Sequence, residues 1–500
     1  MKRWSTVLDF IASGRAPNSE TVVSFEGFEA KGDGGESLWI KTGATGAASQ
    51  TPISRGDYRF NDASGDEYKL TSGTVFYYDG AAEWFPLPFG VSGAGLYQFN
   101  GTDFNYYEDE SEVIVSQKLT TEDLIALSAG FVTGDTITTT GFTSAGDGGS
   151  AQWVATSTID LIPSQTPTDR GAAELVDGAG RLWALSDSGE INPLWLSQKQ
   201  TDDTAMLQLA LDVSSSLKRK LNLDGLEFNI QSSGSQINSR NYALLLQSDT
   251  NVSVNGTVIN LADDSTLYDG ITSPRNTEIT NVSITGSLTI NGNNATRPQG
   301  GHAIWLERVT GLNVEGLTVN ESSAFGFRLN RVSDFIIKNY RCTTTLDQVG
   351  DDGLHIYDCN NGLVDGAIIE TAGDDCFIIS AERVGSSNIT AKNLVLKSPT
   401  GNRGVLLNLA DLADAMYEIK NVNVQAVCND CADGPAALLS QADFKNINLD
   451  IQSEGCRNSL TFDLPSIGFG EGSVRNSTFN IQSNGDLENA IVINDSGTIE

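Results

Sequence analysis

Two pairs of neighbouring aspartates lie 23 residues apart, as Gly350-Asp351-Asp352-Gly353 and Gly373-Asp374-Asp375-Cys376. If folding brings them together, such carboxyl groups can act as proton donor and base, which cleavage of a glycosidic bond requires. Crowded like charges resist joint ionisation, so at least one carboxyl stays protonated near neutral pH. We therefore assign Asp374 or Asp375 as the proton donor and Asp352 as the base that activates water.

A purely structural role is the alternative for these aspartates. Asp-Gly and Asp-Asp are frequent at β-turns, because the Asp side chain bonds to the nearby backbone. The chain contains 64 acidic residues, so three aspartates in two short motifs prove little on their own. The elements that would position them must decide between the two interpretations.

Short β-branched segments separated by Asn and Gly recur after residue 220. Their best alignment is the column Ala303–Leu306, Gly326–Leu329, Gly353–Ile356, Cys376–Ile379 and Gly404–Leu407, with offsets of 23, 27, 23 and 28 residues. Asn and Gly suit the left-handed corners at which a chain turns from one strand to the next. The repeat therefore predicts an all-β fold, a right-handed parallel β-helix, over residues 201–500.

Strand alternation points one residue of each aligned segment outward. Trp305, Arg328 and His355 should then lie above one another on an exterior sheet, on rungs about 4.8 Å apart. The residues assigned to substrate binding are His302, Trp305, Arg328, His355 and Arg403. Trp305 can stack on a sugar ring, and Arg403 can hold the carboxylate of an acidic sugar. Strict alternation would turn Asp352 inward, so the aspartates must lie at a bend before each strand.

The segment Thr201-Asp202-Asp203-Thr204 supplies a helix N-cap, and the apolar residues from Met206 to Leu217 follow a helical period. We expect this helix to cover the first rung, because an open solenoid end exposes unpaired backbone. A second short helix is predicted over Thr121 to Ala129.

The N-terminal region contains a duplication: GFEAKGDGGESLW at 27–39 returns as GFTSAGDGGSAQW at 141–153, 114 positions later. We therefore divide the chain into a first β-rich module (1–115), a second copy with a linker (116–200), and the capping helix with the β-helix (201–500). The aspartate of each Gly-Asp-Gly-Gly could bind calcium, but a tight turn is the favoured interpretation.

The two modules, the capping helix and the Asn/Gly-rich rungs resemble bacteriophage tailspikes with a pectin-lyase-like β-helix. In that family an N-terminal region attaches to the virion, and the β-helix binds and often cleaves bacterial surface polysaccharide. The resemblance implies a homotrimer in the phage tail that acts outside the host cell. It also implies phage tail or baseplate proteins as partners of the N-terminal modules.

A narrower resemblance links Asp352, Asp374 and Asp375 to two motifs of polygalacturonase-type glycoside hydrolases, Asn-Thr-Asp-Gly and Gly-Asp-Asp. The chain departs from the first motif, because Gly350-Asp351 replaces Asn-Thr. Arg403 stands where that family has the histidine of Gly-His-Gly, and Glu418-Ile419-Lys420, only weakly like its Arg-Ile-Lys, is expected to be an ordinary strand. Two of four motifs therefore match.

Charge and hydropathy exclude several classes of function. The chain has 31 Lys and Arg against 64 Asp and Glu, a net charge of −33, which disfavours nucleic acid and anionic membranes as partners. Asp9 interrupts the only N-terminal apolar run, so no secretory signal is expected, and no apolar stretch is long enough to span a membrane. No metal site is assigned among the six cysteines and two histidines, and no cofactor is expected unless calcium binds.

Three functions remain open at this point. The first is a depolymerase that hydrolyses capsular or other exopolysaccharide, and the second is an adhesin that binds the same glycan without cleaving it. The third is a polysaccharide lyase, in which acidic residues hold calcium while Arg or Lys abstracts a proton.

Overall fold

The computed structural model describes side chains within residues 119–127, 131–157, 162–186, 189–293, 297–298, 300–345, 352–371, 373–399, 403–409, 417–464, 472–486, 488–489 and 491–493. It describes strand backbone alone at some further positions, including every strand before residue 107. The chain divides into two compact units. The first comprises residues 1–166 and 174–187, and the second comprises residues 167–173 and 188–500.

The first unit is built from small sheets. Its strands are Lys2–Trp4, Val22–Phe25, Ser37–Thr45, Arg59–Asn61 and Asp66–Gly73 in one sheet, Tyr77–Tyr78, Glu83–Trp84, Tyr97–Phe99 and Phe104–Tyr106 in a second, and Thr136–Thr138, Gln152–Thr158, Glu174–Val176 and Arg181–Leu185 in a third. The helix α1, Thr121–Ala126, begins with a capping box at Thr120 and ends earlier than expected. Only its predicted last residues, 128 and 129, lie outside the described residues.

The two predicted copies share one strand pairing. Trp39 lies opposite Leu70 in the first copy, and Trp153 lies opposite Leu185 in the second, in antiparallel pairs. Trp153 is fully buried, as expected, whereas the side chain of Trp39 lies outside the described residues. The duplication and the boundary at residue 115 therefore stay predictions.

The Gly-Asp-Gly-Gly loop of the second copy is organised by its aspartate. The carboxylate of Asp147 accepts hydrogen bonds from the backbone N–H groups of Phe142, Thr143, Ser144 and Gly149 at 2.8–3.1 Å. Although partial burial raises the pKa of Asp147, these four donors lower it further than burial raises it. Asp147 thus has the turn role favoured from the sequence.

The second unit contains the parallel β-helix, which confirms the predicted fold class. One 11-stranded sheet consists of Gln236–Ile237, Arg240–Leu245, Leu267–Thr272, His302–Glu307, Phe327–Asn330, Leu354–Tyr357, Phe377–Ala381, Val405–Leu409, Pro435–Ser440, Asn458–Leu464 and Asn489–Asp495. Within it the strands from Arg240–Leu245 onward pair in parallel, so each returns one rung further along the axis.

A bent 16-stranded sheet closes the other sides of the solenoid. Its strands are Leu221–Asn222, Glu227–Ile230, Asn251–Ser253, Thr257–Leu261, Ile279–Asn291, Val309–Asn320, Ser333–Lys338, Arg341–Thr343, Asn360–Asp365, Ile368–Glu370, Ser386–Lys397, Glu418–Asn429, Asp443–Glu454, Ser473–Arg475, Thr478–Asn484 and Thr498–Ile499. Ser466–Ile467 and Gly470–Glu471 form a separate hairpin, and short helices span Pro167–Arg170 (α2) and Pro193–Trp195 (a 3₁₀ turn). Glu418-Ile419-Lys420 is ordinary strand, as expected.

Asparagines stabilise one corner of the rungs. Asn361, Asn388, Asn421 and Asn446 all have positive φ, which Asn adopts more readily than other residues with a Cβ. Their side-chain amides donate in sequence to the amide oxygen one rung back, over 3.1, 2.9 and 2.8 Å. The Asn/Gly-rich spacing in the sequence therefore reflects the turning points of the solenoid.

The predicted column forms the core behind the 11-stranded sheet. Ile304, Phe327, Leu354, Phe377 and Val405 are register partners on successive rungs and are at most 1% exposed. Each such side chain contributes about 1.5–3 kcal/mol through burial. The predicted alignment and its inward face are confirmed.

The helix α3, Thr204–Leu217, provides the predicted cap. Its Gln208 accepts from the backbone N–H of Leu245 at 2.7 Å and donates to the Leu245 carbonyl at 3.0 Å. Asp203 accepts from the N–H of Asn229 at 3.0 Å. Side chains of the helix thus satisfy strand backbone that would otherwise lack partners.

Candidate active site

Six consecutive strands of the 11-stranded sheet carry the candidate site. They are β1 (Leu267–Thr272), β2 (His302–Glu307), β3 (Phe327–Asn330), β4 (Leu354–Tyr357), β5 (Phe377–Ala381) and β6 (Val405–Leu409). Residues that share a register position stack along the axis about 4.8 Å apart. The sheet can therefore present a row of side chains to an extended ligand.

The aspartates lie in the bends that precede β4 and β5, where strand alternation has not begun. The N–H of Gly353 donates to the Asp375 carbonyl at 3.0 Å, and the N–H of Cys376 donates to the Arg403 carbonyl at 2.9 Å. These bonds hold the three bends in line. Glycine is required at position 353, because a Cβ there would lie 2.2 Å from the Ile369 side chain.

Asp352, Asp374 and Asp375 come together as a cluster, each with a carboxylate oxygen within 4.8 Å of the others. The side chains of Asp352 and Asp375 are 5% and 4% exposed, and that of Asp374 is 24% exposed. Two buried carboxyls and one that faces solvent thus share a small volume. Asp351 lies outside the described residues.

Arg403 supplies the positive charge of this cluster. Its Nε lies 2.6 Å from Oδ1 of Asp375, and its Nη2 lies 3.4 Å from Oδ1 of Asp374. The sequence suggested that Arg403 would hold an acidic sugar, but its guanidinium is already paired with the protein's own carboxylates. These ion pairs engage one oxygen of each of the two carboxylates.

Burial and mutual repulsion favour protonated carboxyls in the cluster. Burial raises the pKa of Asp375 to about 7, with Arg403 opposing the rise and Asp374 adding to it. Burial raises the pKa of Asp352 well above its usual range, and the charges of Asp375 and Asp374 raise it further. The cluster therefore retains protons at neutral pH, as expected for crowded acids.

A chain of hydrogen bonds connects Asp352 to two residues on the next rungs. His355 places Nδ1 2.8 Å from Oδ2 of Asp352 and Nε2 3.0 Å from the hydroxyl of Ser380. Ser380 donates its proton to Asn408, so it accepts from Nε2–H of His355. A neutral imidazole then has an acceptor at Nδ1, and Asp352 donates the proton that joins the two side chains.

The surroundings of His355 keep its imidazole neutral. Burial lowers the pKa of His355 well below its usual range, and the charges of Arg328 and His302 lower it further. The ring stacks on Tyr357, with centroids 3.9 Å apart, and contacts Phe325 at 4.8 Å. His355 is thus fixed beside the carboxyl cluster in its uncharged form.

Trp305, Arg328 and His355 occupy one register line on β2, β3 and β4, as predicted. They are less accessible than an outward face suggested, since Trp305 is 9% and His355 5% exposed, and Arg328 is partly exposed. The covering groups are other side chains, notably Arg275, whose guanidinium carbon lies 3.5 Å from the Trp305 ring centroid. A cluster of cations and aromatic rings therefore adjoins the carboxyls.

His302 lies in the same cluster through Asp269, its register partner on β1. Asp269 pairs with Arg240 at 2.9 Å and with Arg275 at 2.7 Å, and its oxygen lies 3.2 Å from Nδ1 of His302. Burial alone would raise the pKa of Asp269, but His302 and Arg240 lower it overall. Burial lowers the pKa of His302 to about 4, so its ring is neutral at pH 7.

Asp269, Arg240 and Arg275 belong to the site but were not predicted from the sequence. Extending the column one rung before His302 would have found Asp269, because the two residues share a register position. Arg275 follows β1 outside the strand, and Arg240 reaches across from the preceding strand. Neither arginine follows the periodicity from which the column was built.

A groove of about 330 Å³ lies on the other sheet, lined by Asn393, Leu394, Val395, Gln425, Ala426, Val427, Asp450 and Gln452. It has one carboxylate and no titratable partner beside it among these lining residues. The chemistry of the side chains therefore places the candidate site on the 11-stranded sheet. Among the described helices, none is long and apolar enough to cross a membrane.

Comparison with protein families matches residues 224–401 to glycosyl hydrolases family 28. The matched segment contains Asp352, Asp374 and Asp375 and ends just before Arg403. The matched segment runs from the first rungs of the β-helix to just beyond β5, and it is less than half of the chain. No curated protein sequence matches the chain significantly.

Solved structures with similar folds share little sequence with the chain. The A-module of mannuronan C-5 epimerase AlgE6 from Azotobacter vinelandii is 15% identical, with a TM-score of 0.36, over 62% of this chain and 99% of that one. Full-length tailspike protein 2 from an Escherichia coli O157:H7 bacteriophage is 14% identical, with a TM-score of 0.39, over 83% and 62%. Polygalacturonase from Erwinia carotovora is 13% identical, with a TM-score of 0.39, over 62% and 96%. None of these similarities bears on the activity of this chain.

Proposed function

We propose that this chain is a glycoside hydrolase that cleaves a polysaccharide, with Asp352, Asp374 and Asp375 as its active-site residues. The observation that carries the proposal is the cluster itself: three carboxyls within 4.8 Å, of which Asp375 has a pKa of about 7. A carboxyl with that pKa can hold a proton near neutral pH and give it to a leaving oxygen. The family match over residues 224–401 supports the same reaction class.

Asp375 is proposed as the proton donor to the glycosidic oxygen, with Asp374 as the other candidate. Asp352 is proposed as the base. Its proton first passes to Nδ1 of His355 along their 2.8 Å hydrogen bond, which leaves a carboxylate that can deprotonate water. Burial opposes this transfer, because it lowers the pKa of His355 and raises that of Asp352, so the charged pair is a transient state and not the resting one. The hydroxide attacks the anomeric carbon as Asp375 protonates the leaving oxygen. Afterwards the proton on His355 is lost to solvent, and Asp375 regains one from it.

Arg403 is proposed to balance the charge that this reaction creates. Proton donation leaves Asp375 as a carboxylate, and the Nε of Arg403 is already 2.6 Å away. The ion pair therefore stabilises the donor after it has lost its proton.

The biological setting is proposed from the sequence resemblance to phage tailspikes. The substrate would be a bacterial capsular or other exopolysaccharide at the host surface, outside the cell. Residues 1–115 would attach the protein to tail or baseplate proteins of the virion, and the chain would act as a homotrimer. His302, Trp305, Arg328 and His355 would line the path of the glycan.

Reducing-end release from purified capsular polysaccharide tests the proposal. Wild type should release oligosaccharides, while Asp352→Asn and Asp375→Asn should be slower by at least about 10²-fold. Asp365→Asn is the matched control, because Asp365 lies on the same rung in the other sheet and is partly exposed. Activity that survives both site substitutions would contradict the proposal.

The two other functions have distinct outcomes in the same assay. Binding of the polymer without any release of ends would identify an adhesin. Products that absorb in the ultraviolet, together with loss of activity on chelation, would identify a calcium-dependent lyase.

A further inference from the structure

Arg328 is the cation of the cluster that lacks a carboxylate partner among the described residues. The carboxylates whose charges act on Arg328, Glu382 and Asp269, form ion pairs with other arginines. Glu382 pairs with Arg383, and Asp269 pairs with Arg240 and Arg275. Glu307 likewise pairs with Arg331. A buried or half-buried cation without a counter-charge is costly, so such a group ordinarily has a partner. Its partner is therefore absent from the described part of the chain.

Aromatic rings hold the guanidinium of Arg328 in place. Its central carbon lies 4.1 Å from the ring centroid of Trp305, 4.6 Å from that of Tyr357 and 5.2 Å from that of Phe325. The faces of aromatic rings attract a cation, but they leave the N–H groups of a guanidinium free to donate within the plane of the guanidinium itself. The arginine is thus oriented before any ligand arrives.

Several N–H donors around Arg328 have no acceptor. Among the described residues, the buried Nε atoms of Arg328 and Arg275 and the indole Nε1 of Trp305 make no hydrogen bond. Nε2 of His302 is a further buried nitrogen without a hydrogen-bond partner among these residues. Donors gathered without acceptors indicate a ligand that brings oxygen atoms with negative charge.

We propose that Arg328, together with the indole of Trp305, binds an acidic group of the glycan, a carboxylate or a sulfate ester. The subsite lies one rung before His355 and two rungs before Ile378, so it is about 10 Å along the axis from the rung of Asp375. The inference rests on the proposed function for its place on the substrate path.

The charge of the whole protein makes such a subsite necessary for an acidic polymer. At a net charge of −33 the surface repels polyanions, so a local group of cations must offset that repulsion. Arg240, Arg275 and Arg328 all lie within 5.2 Å of the Trp305 ring centroid, measured from their guanidinium carbons. In the part of the chain that the structure describes, Asp269 is the carboxylate that forms ion pairs with two of them, Arg240 and Arg275.

Binding to the full chain carrying Asp375→Asn, which removes cleavage, tests the subsite. The probes are D-glucuronate, its uncharged counterpart D-glucuronamide, and D-glucose 6-sulfate, each measured by calorimetric titration. We expect glucuronate or the sulfate to bind more tightly than glucuronamide. Adding Arg328→Gln should lower the affinity for the acidic probe by at least about tenfold, because a charged hydrogen bond is lost. The affinity for glucuronamide should not change.

Arg341→Gln is the matched control, since Arg341 is exposed on the other sheet. If Arg328→Gln fails to fold, as judged by circular dichroism, Arg328→Lys replaces it; it keeps the charge but loses the planar fork and should bind the acidic probe more weakly. Equal binding of glucuronate, the sulfate and glucuronamide would overturn the subsite, as would an unchanged affinity in both Arg328 variants.

The subsite and the hydrolase can fail separately. Cleavage of a neutral polymer at a rate unaffected by Arg328→Gln would support the proposed hydrolase activity and contradict the proposed subsite. Binding of an acidic sugar that depends on Arg328, in a protein that releases no reducing ends, would leave the subsite and remove the hydrolase.

Discussion

Nδ1 of His355 lies 2.8 Å from Oδ2 of Asp352, and both side chains are buried. Because burial lowers the pKa of the imidazole and raises that of the carboxyl, the resting pair is neutral, with its proton on Asp352. The polygalacturonase-type motif has a histidine at the position of Arg403. In this chain a histidine reaches the carboxyl cluster from β4 instead.

Replacing His355 should slow hydrolysis without weakening substrate binding. In His355→Asn the proton of Asp352 has no imidazole to move to, so we expect kcat to fall by about 10²-fold or more with little change in KM. The pH–rate profile should also change, because Asp352 then titrates without its partner. Steady-state kinetics between pH 4 and 9 would measure both effects.

Ser380→Ala provides the comparison for His355→Asn. It removes the acceptor of the Nε2 proton but keeps the bond between His355 and Asp352, so its effect on kcat should be smaller. A pH–rate profile in His355→Asn identical to that of wild type would show that His355 only fills space.

Arg403→Gln should shift the basic limb of the pH–rate profile to higher pH. Arg403 lowers the pKa of Asp375, so its removal raises that pKa above the value of about 7. Asp375 then stays protonated to higher pH, although kcat falls because the carboxylate left after proton donation has lost its partner. A basic limb that stays in place or moves to lower pH would contradict the assignment of Asp375 as proton donor.

Asp375→Asn should be more stable than wild type at pH 8. The folded pKa of Asp375, about 7, exceeds the usual 3.8, so the folded state holds the proton more tightly than the unfolded chain. Wild type therefore loses stability as pH rises from about 4 to about 7, and the neutral amide does not. Denaturation at pH 4 and pH 8 measures the difference.

The gain in Asp375→Asn should be much smaller at pH 4, close to the usual pKa of 3.8, where the folded wild type is protonated and the unfolded chain is about half protonated. Asp365→Asn again serves as the control, because that carboxylate is paired on the surface with Lys392. A variant that loses as much stability at pH 8 as at pH 4 would show that Asp375 has no raised pKa.

Asp269→Asn should destabilise the β-helix by about 3–5 kcal/mol, because it leaves Arg240 and Arg275 without their buried counter-charge. The pKa of Asp269 is lowered in the fold, so its stabilisation is present above the unfolded pKa and is lost as pH falls below that value. Urea denaturation at pH 7 gives the free energy of unfolding. A loss below 1 kcal/mol would indicate that solvent reaches this cluster.

Sequence periodicity predicted the part of the fold that obeys it. The register of Ile304, Phe327 and Leu354 followed from alternation, because shifting a strand by one residue would expose its whole core face. The same register placed Arg328 beside His355. The bend before β4 was also expected, since Asp352 could not face outward by alternation.

The polar contacts of the site could not be predicted in the same way. Arg403 and Arg275 are long side chains outside the strands, and their partners depend on the three-dimensional path of the bends. The sequence therefore suggested Arg403 as a sugar ligand, whereas the structure pairs it with Asp374 and Asp375. The burial of Trp305 under Arg275 could not be predicted for the same reason. Strand alternation predicts which way a side chain points, but not which other side chains pack over it.

Hydrolysis of purified capsular polysaccharide in H₂¹⁸O, followed by mass spectrometry of the products, tests the central claim most directly. If Asp352, Asp374 and Asp375 activate water against a glycosidic bond, each new reducing end should carry ¹⁸O. Both the products and the label should be lost in Asp352→Asn. Products without ¹⁸O that contain an unsaturated sugar, or labelled products formed equally well by Asp352→Asn, would contradict the account.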